Sequence, residues 1–168
     1  KLLLKIIRPA TVCGYSPKMR LDLSVNMLTM QALKNNKITV FGGNQIRPNL
    51  NIYDMVSVYA HMIKTKSKHI IFNAGNENLK IIDIAKIIQS LIPCKIKILK
   101  IQDIRSYRLD SSRLIKTGFD FNYTVKDAIQ ELIDCYNSKS IIISKKLQNI
   151  YSMKKKLSKI KKDLWNID

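Results

Sequence analysis

An α/β fold is the class this sequence predicts, and three observations carry it. Short apolar runs that stop at Gly, Asn or Pro alternate with stretches whose apolar residues recur at helical spacing. Apolar residues make up 46% of the 168, enough for a buried core, so the chain is globular rather than disordered. No apolar run approaches the roughly 20 residues needed to span a bilayer.

Residues 2–12 read as one buried strand, ended by Cys13-Gly14-Tyr15-Ser16-Pro17. Leu21, Val25, Leu28 and Ala32 then share a helix face, and Asn35-Asn36 ends that helix. Residues 38–41 form a short strand closed by Gly42-Gly43, followed by a polar loop carrying Gln45, Arg47 and Pro48. Residues 49–53 are extended. Asp54 is read as the N-cap of a helix with Met55, Val58, Tyr59, Met62 and Ile63 on one face. A strand over 70–74 stops at Gly75. The next helix carries Ile81, Ile84, Ala85, Ile88 and Leu91, and Lys80, standing where a hydroxyl would cap it, predicts a frayed start. Residues 95–101 largely alternate Lys with apolar residues, as a strand with one wet face does. Thr124 and Asp127 form a capping box before a helix with Val125, Ala128, Ile129, Leu132, Ile133 and Tyr136 on its apolar face. From Ser138 the chain turns basic, and Leu147, Ile150, Tyr151 and Leu157 suggest a last amphipathic helix.

The net charge is +18, which raises nucleic acid as a partner. The basic residues are spread widely and aromatics are only 7%, so the charge reads as generic surface, and nucleic acid is not the expected partner. The three cysteines, Cys13, Cys94 and Cys135, have no C-x-x-C spacing, and His61 and His69 have no partner at ligand spacing, so no metal is expected. The odd, scattered thiols fit a reducing cytoplasm. Only five glycines are present, and none builds a G-x-G-x-x-G cradle at a helix start. No G-x-S-x-G, H-E-x-x-H or P-loop is found either, so the residues alone outline a basic α/β domain without a visible catalytic centre.

The order of weaker motifs says more. Arg8-Pro-Ala-Thr-Val-Cys-Gly14 is followed by Ser16-Pro-Lys-Met-Arg-Leu-Asp22, Val25-Asn26, and Ile38-Thr-Val-Phe-Gly-Gly43 with Gln45, Arg47 and Pro48. Then come Asn51-Ile-Tyr-Asp54, Phe72-Asn-Ala-Gly75, Asp103-Ile-Arg-Ser-Tyr-Arg108, Asp110 and Gly118-Phe119. This succession resembles the later part of NAD-dependent epimerases/dehydratases, the extended short-chain dehydrogenases/reductases, from residue 1 to about 137. The resemblance implies the last strands and helices of a Rossmann-type sheet plus a small mixed α/β substrate-binding domain. It divides the chain into 1–19 (cofactor-domain strand and loop), 20–48 (substrate-binding), 49–77 (return to the cofactor sheet), 78–137 (substrate-binding) and 138–168 (basic helical tail).

It also implies roles. Pro9 and Ala10 fall where family members touch the nicotinamide end of NAD, and Thr11 where sugar and nicotinamide meet. Asn26 matches a diphosphate contact, Thr39 and Phe41 the strand that packs the base, and Arg47 and Arg105 a diphosphate grip with fork-shaped donors. Each has a plainer alternative: Arg47 bracing a loop, Arg105 pairing with Asp103 or Asp110, Asn26 as a surface residue, Phe41 filling core. Thr11 departs from the family's Asn, and Asn51 from its His. The catalytic Tyr and Lys of the family belong upstream of Arg8, so no catalytic residue is expected in this chain. By itself it is expected to be inactive, a fragment completed by a Rossmann front half and dimeric when full length. The competing reading is a non-enzymatic basic module that binds a polyanion.

Overall fold

The computed structural model describes residues 4–100 and 105–141. Asp103 and the basic tail with its expected last helix, residues 142–168, lie outside them. The elements run β1 (Ile6–Pro9), β2 (Thr11–Cys13), α1 (Ser24–Asn35), β3 (Lys37–Phe41), β4 (Ile46–Asn51), α2 (Ile52–Lys64), β5 (Ile71–Ala74), β6 (Glu77–Lys80), α3 (Ile81–Leu91), β7 (Lys95–Leu99), α4 (Ser112–Ile115) and α5 (Val125–Asn137). The strands form three small sheets in the orders β1-β5, β2-β4-β6 and β3-β7; all pairs are parallel except β4-β6. The expected α/β class is therefore what the chain adopts.

The single long strand expected over residues 2–12 is two short ones. Ala10 N still donates to Ala74 O at 2.7 Å, continuing the β1 ladder, while Thr11 pairs with Asn49 of β4. The break arises because the chain changes partner strand at that residue. β1 is also less buried than its composition suggests. Ile6 is exposed, and among the described residues β1 pairs with β5 alone. Parallel strands ordinarily have both faces covered, and β1 does not.

Strand β4 holds what was expected to be a loop, since Arg47 and Pro48 are strand residues. A proline is tolerated there because β2 pairs only with Asn49–Asn51, so Pro48 faces a partner strand on one side only. Helix α2 follows at once. Its N-cap is Asn51, whose side chain accepts from Tyr53 N at 2.9 Å, and not Asp54. Asp54 sits within the first turn, fully buried, and its carboxylate accepts from Asn122 N (3.0 Å) and Tyr123 N (3.1 Å). It ties α2 to the entrance of α5. Only Met55, Val58 and Met62 of the expected apolar face are buried; Tyr59 and Ile63 are exposed, with Val56 beside them. That second stripe lies next to Leu4 and Ile7, along the uncovered side of β1.

The frayed start expected for α3 is absent for a reason local sequence hides. Lys80 offers no side-chain cap, but Ile81 N donates to Gln45 O (3.1 Å) and Ile82 N to Gly43 O (3.0 Å). Backbone carbonyls of the 43–45 loop satisfy the orphan donors that a hydroxyl would otherwise meet. The capping box at Thr124 and Asp127 is present as read. Helices α1, α3 and α5 pack Val25, Leu28, Ile84, Ile88 and Ile129 together under Ile38 and Val40 of β3. A second cluster joins Leu50, Val58, Phe72 and Leu114 beneath β1 and β4. Each such side chain contributes about 1.5–3 kcal/mol on burial.

Replacing Asp54 distinguishes its two roles. As a simple N-cap, Asp54→Ala costs about 1 kcal/mol. As the acceptor of two buried backbone donors, it costs on the order of 3 kcal/mol. Urea unfolding is expected to give the larger value, and a loss near the smaller one would return Asp54 to a capping role.

Candidate functional site

Where the chain changes sheets at Ala10, a cleft of about 380 Å³ opens. It lies at the carboxyl end of a parallel strand, the position at which open α/β sheets bind ligands. It is lined by Pro9, Ala10, Thr11 and Val12, by Arg20 and Leu23 from the approach to α1, by Pro48 of β4, and by Tyr107 and Leu109 from the segment before α4.

That segment is held by polar contacts of fixed direction. Ile46 N donates to Ser106 Oγ (3.0 Å), Tyr107 N to Ile46 O (3.3 Å), and Leu109 N to Asn78 Oδ1 (2.8 Å), while Asn78 Nδ2 returns a bond to Leu109 O (3.2 Å). Gly75 makes the approach possible: a Cβ there would lie 3.0 Å from Ala10 Cβ and 3.1 Å from Leu109 Cδ2. Ser111 Oγ clamps the same glycine, accepting from its N–H and donating to its carbonyl, both at 2.8 Å.

Arg20 lines the cleft, and a second cation, Arg47, stands against its Tyr107. The Arg47 guanidinium lies over the Tyr107 ring, 5.4 Å from its centroid, and donates to Ile46 O and to the carbonyl of Arg105. Arg47 and Arg105, 58 positions apart in sequence, therefore meet. Arg20 is held flat by Asp22 through two bonds of 3.0 Å, Nε to Oδ1 and Nη2 to Oδ2. The hydrogen bond to Asp22 raises its pKa further, so it stays cationic. The Asp110 carboxylate accepts from both the N–H and the hydroxyl of Ser112, which lowers its pKa and keeps it ionised.

Of the residues singled out from sequence, Pro9, Ala10 and Thr11 line the cleft; Arg47 and Arg105 are not among its lining residues, but the Arg47 side chain stands over Tyr107, which is, and donates to the Arg105 carbonyl. Asn26 does not reach it. It is buried and spends its amide on the loop before α1, accepting from Gly14 N (3.1 Å) and donating to Arg20 O (3.1 Å). It braces the residues that carry Arg20. Thr39 and Phe41 lie on β3, outside the cleft wall, and Phe41 is 46% exposed, so it does not fill core. Sequence reading did not assign Arg20, Leu23 or Leu109 to the cleft, and it left Tyr107 of the 103–108 motif evenly between a contact and a surface role.

Other reactive groups are structural. Burial pushes the Cys13 thiol up to about 12, so it remains protonated and is no nucleophile. His61 Nε2 meets Thr117 Oγ1 at 2.8 Å and stands edge-on to Phe119, a boundary residue as read. Among the described residues, no three His, Cys, Asp or Glu side chains gather to hold a metal.

No known family's sequence profile matches the chain. Solved structures do. An NAD-dependent NDP-hexosamine 5,6-dehydratase, TunA of tunicamycin biosynthesis, is similar over 82% of this chain and 47% of its own, with a TM-score of 0.70 and 21% identity. The UDP-glucose 4-epimerase of Thermotoga maritima, with UDP-glucose, matches over 82% and 47% at 0.69 and 15%. The UDP-glucuronic acid 4-epimerase of Bacillus cereus, in complex with UDP-glucuronic acid and NAD, matches over 82% and 46% at 0.66 and 24%. The fold is thus of the Rossmann type found in nucleotide-sugar epimerases and dehydratases, and the chain spans about half the length of the structures it matches.

One titration is open to direct measurement. The half-buried Glu77 accepts from Val125 N at the start of α5, and burial raises its pKa. It holds its proton more tightly folded than unfolded. Its contribution therefore favours folding in acid and weakens as pH rises through the raised value. Glu77→Gln keeps an acceptor without the charge. Relative to the parent, its stability is expected to improve as pH rises from about 4, the free-Glu range, to neutrality. Urea melts across that range give the comparison, and a relative stability that falls with pH would contradict it.

Proposed function

We propose that the chain is the substrate-binding, C-terminal half of an NAD-dependent nucleotide-sugar epimerase or dehydratase. The observation that carries this is convergence. Segments around residues 9–12, 20–23, 47–48 and 105–109 meet at one cleft at the carboxyl end of β1, in a fold shared with enzymes of that chemistry. A diphosphate is held at the Arg47–Arg105 edge, where a guanidinium is already aligned against Tyr107. The sugar lies in the cleft, with the Thr11 hydroxyl as its hydrogen-bonding partner and Pro48 and Leu109 as apolar walls. The base lies on β3 at Thr39 and Phe41. The division at residues 19, 48, 77 and 137 into cofactor-sheet and substrate segments goes with this reading.

The fit to a nicotinamide cofactor is partial and one-sided. Pro9 and Ala10 are small residues ending a parallel strand at the cleft, so a flat ring can lie close to the backbone there. When bound, NAD accepts a hydride from the sugar and returns it. This chain supplies the wall against which the ring rests and the grip that orients the sugar. The catalytic Tyr and Lys and the dinucleotide cradle come from a Rossmann front half. The uncovered side of β1, with the Tyr59–Ile63 stripe beside it, is the face that such a half covers. The complete enzyme is an isomerase or lyase, a homodimer, working in the cytoplasm.

Two measurements on the chain test the proposal. UDP-glucose, taken as the probe, is expected to bind, and Arg47→Ala to weaken it by roughly ten- to a hundredfold through loss of a charge-assisted bond. NADH is expected neither to bind tightly nor to be turned over with sugar nucleotide by the chain alone. Tight NADH binding, or binding of the probe indifferent to Arg47, would overturn the reading.

A further inference from the structure

A second hollow, of about 480 Å³, lies at the opposite end of the β1-β5 sheet from the cleft. The two strands are parallel and the cleft opens past the carboxyl end of β1, whereas the hollow is bounded by the segment that leads into the amino end of β5. About 13 Å of strand separates the two. Three lysines line the hollow: Lys64 of α2, Lys66 of that segment, and Lys116 at the end of α4. The other lining residues are His61 and three hydroxyl residues, and among the described residues no carboxylate lines it. Each lysine is exposed, and none forms an ion pair among the described residues. Asp110, held ionised chiefly by its bonds to the Ser112 N–H and hydroxyl, feels the charge of Lys116 as well, but its oxygens are taken by those bonds. Helix α2 ends here, and the negative end of its dipole amounts to about half a charge, against three ammoniums. The hollow therefore keeps a positive field, which its walls focus.

The walls are tied in place. Thr117 Oγ1 donates its one proton to Leu114 O (2.6 Å), so it accepts from His61 Nε2 at 2.8 Å, and that bond joins the end of α4 to α2. Lys5 Nζ donates to the carbonyls of Ser67 and His69 and pins the segment between α2 and β5. Ser67 Oγ accepts from His69 N (3.2 Å), and among the described residues no acceptor takes its own proton. We propose that this hollow binds a small phosphoanion, with Lys64, Lys66 and Lys116 as its counter-charges and the Ser67 hydroxyl as its directed donor. Lysines meet phosphoryl oxygens as point charges, and the hydroxyl adds a bond of fixed direction. Surfaces for single-stranded nucleic acid add aromatic side chains on which bases stack. Among the described residues no Phe, Tyr or Trp lines this hollow, so recognition stops at the phosphoryl group. The site is separate from the cleft and does not depend on what the cleft holds.

Pyrophosphate is the probe, titrated by calorimetry at physiological salt into the 168-residue chain carrying Arg47→Ala, which removes the grip proposed for the cleft. Binding is expected, and Lys64→Gln or Lys116→Gln in that background is expected to weaken it about tenfold, the factor for one hydrogen bond to a charged group. Ser67→Ala, which leaves the charge unchanged, is expected to weaken it severalfold. Lys86→Gln, at an exposed position on α3, is expected to leave it unchanged. No binding of pyrophosphate overturns the proposal. So does an equal loss in Lys86→Gln and Lys116→Gln with no effect of Ser67→Ala, which is the mark of diffuse charge without a built site. A short oligouridylate that binds tighter than pyrophosphate and depends on the same lysines would make the face a nucleic-acid surface and overturn it as well. UDP-glucose binding by the chain with Arg47 intact is expected to be the same with and without Lys116→Gln, so this site and the cleft reading stand or fall separately.

Discussion

The change of partner at Ala10 is the constraint on which the rest of the molecule depends. Up to that residue the chain hydrogen-bonds to β5, and one residue later to β4. A continuous strand would bury this backbone in one sheet. The switch instead presents four consecutive residues to a cleft, with no side chain larger than valine or proline. The packing nearby serves that exposure. Gly75 has no Cβ, so the segment at Leu109 can close over Ala10, and Ser111 fixes the glycine from both of its polar ends. The polar and charged side chains among the residues that line it belong to Thr11, Arg20 and Tyr107.

Long-range polar ties hold the two cores to one another. Asp54 takes the donors at Asn122 and Tyr123, Asn51 Nδ2 donates to Thr124 O, and Glu131 accepts from both Tyr15 N and the Tyr53 hydroxyl. Each is a carboxylate or amide on a helix or at its cap, and it meets groups that are distant in sequence. Few of these ties involve paired opposite charges. In a chain of net charge +18, carboxylates are scarce, and several of them are spent on backbone N–H groups instead of lysines.

How much of this was legible in the sequence follows from the range of the forces involved. The capping box at Thr124 and Asp127 is local, and it reads correctly from four residues. Ile84, Ala85 and Ile88 mark their helix face by spacing alone. Asp54 looked like a cap because a carboxylate near a helix start usually is one, and its true partners are 68 and 69 positions away. Tyr59 and Ile63 fit the apolar periodicity of α2 but lie on a face that no described residue covers. For the cleft, the order of motifs named Pro9, Ala10 and Thr11, which line it, and Arg47, which stands over Tyr107 of its lining. The inward turn of the Asn26 amide to Gly14 and Arg20, and the backbone bond from Tyr107 N to Ile46 O, depend on residues that local sequence does not bring together.

Helix α3 carries a wider lesson about descent. Its first donors are met by carbonyls of the 43–45 loop, so the helix start does not depend on a capping side chain at position 80. Where a turn borrowed from elsewhere performs the task of a signature residue, the signature can be lost while the architecture persists. Such positions allow a sequence to travel beyond the reach of any profile while its backbone path stays recognisable.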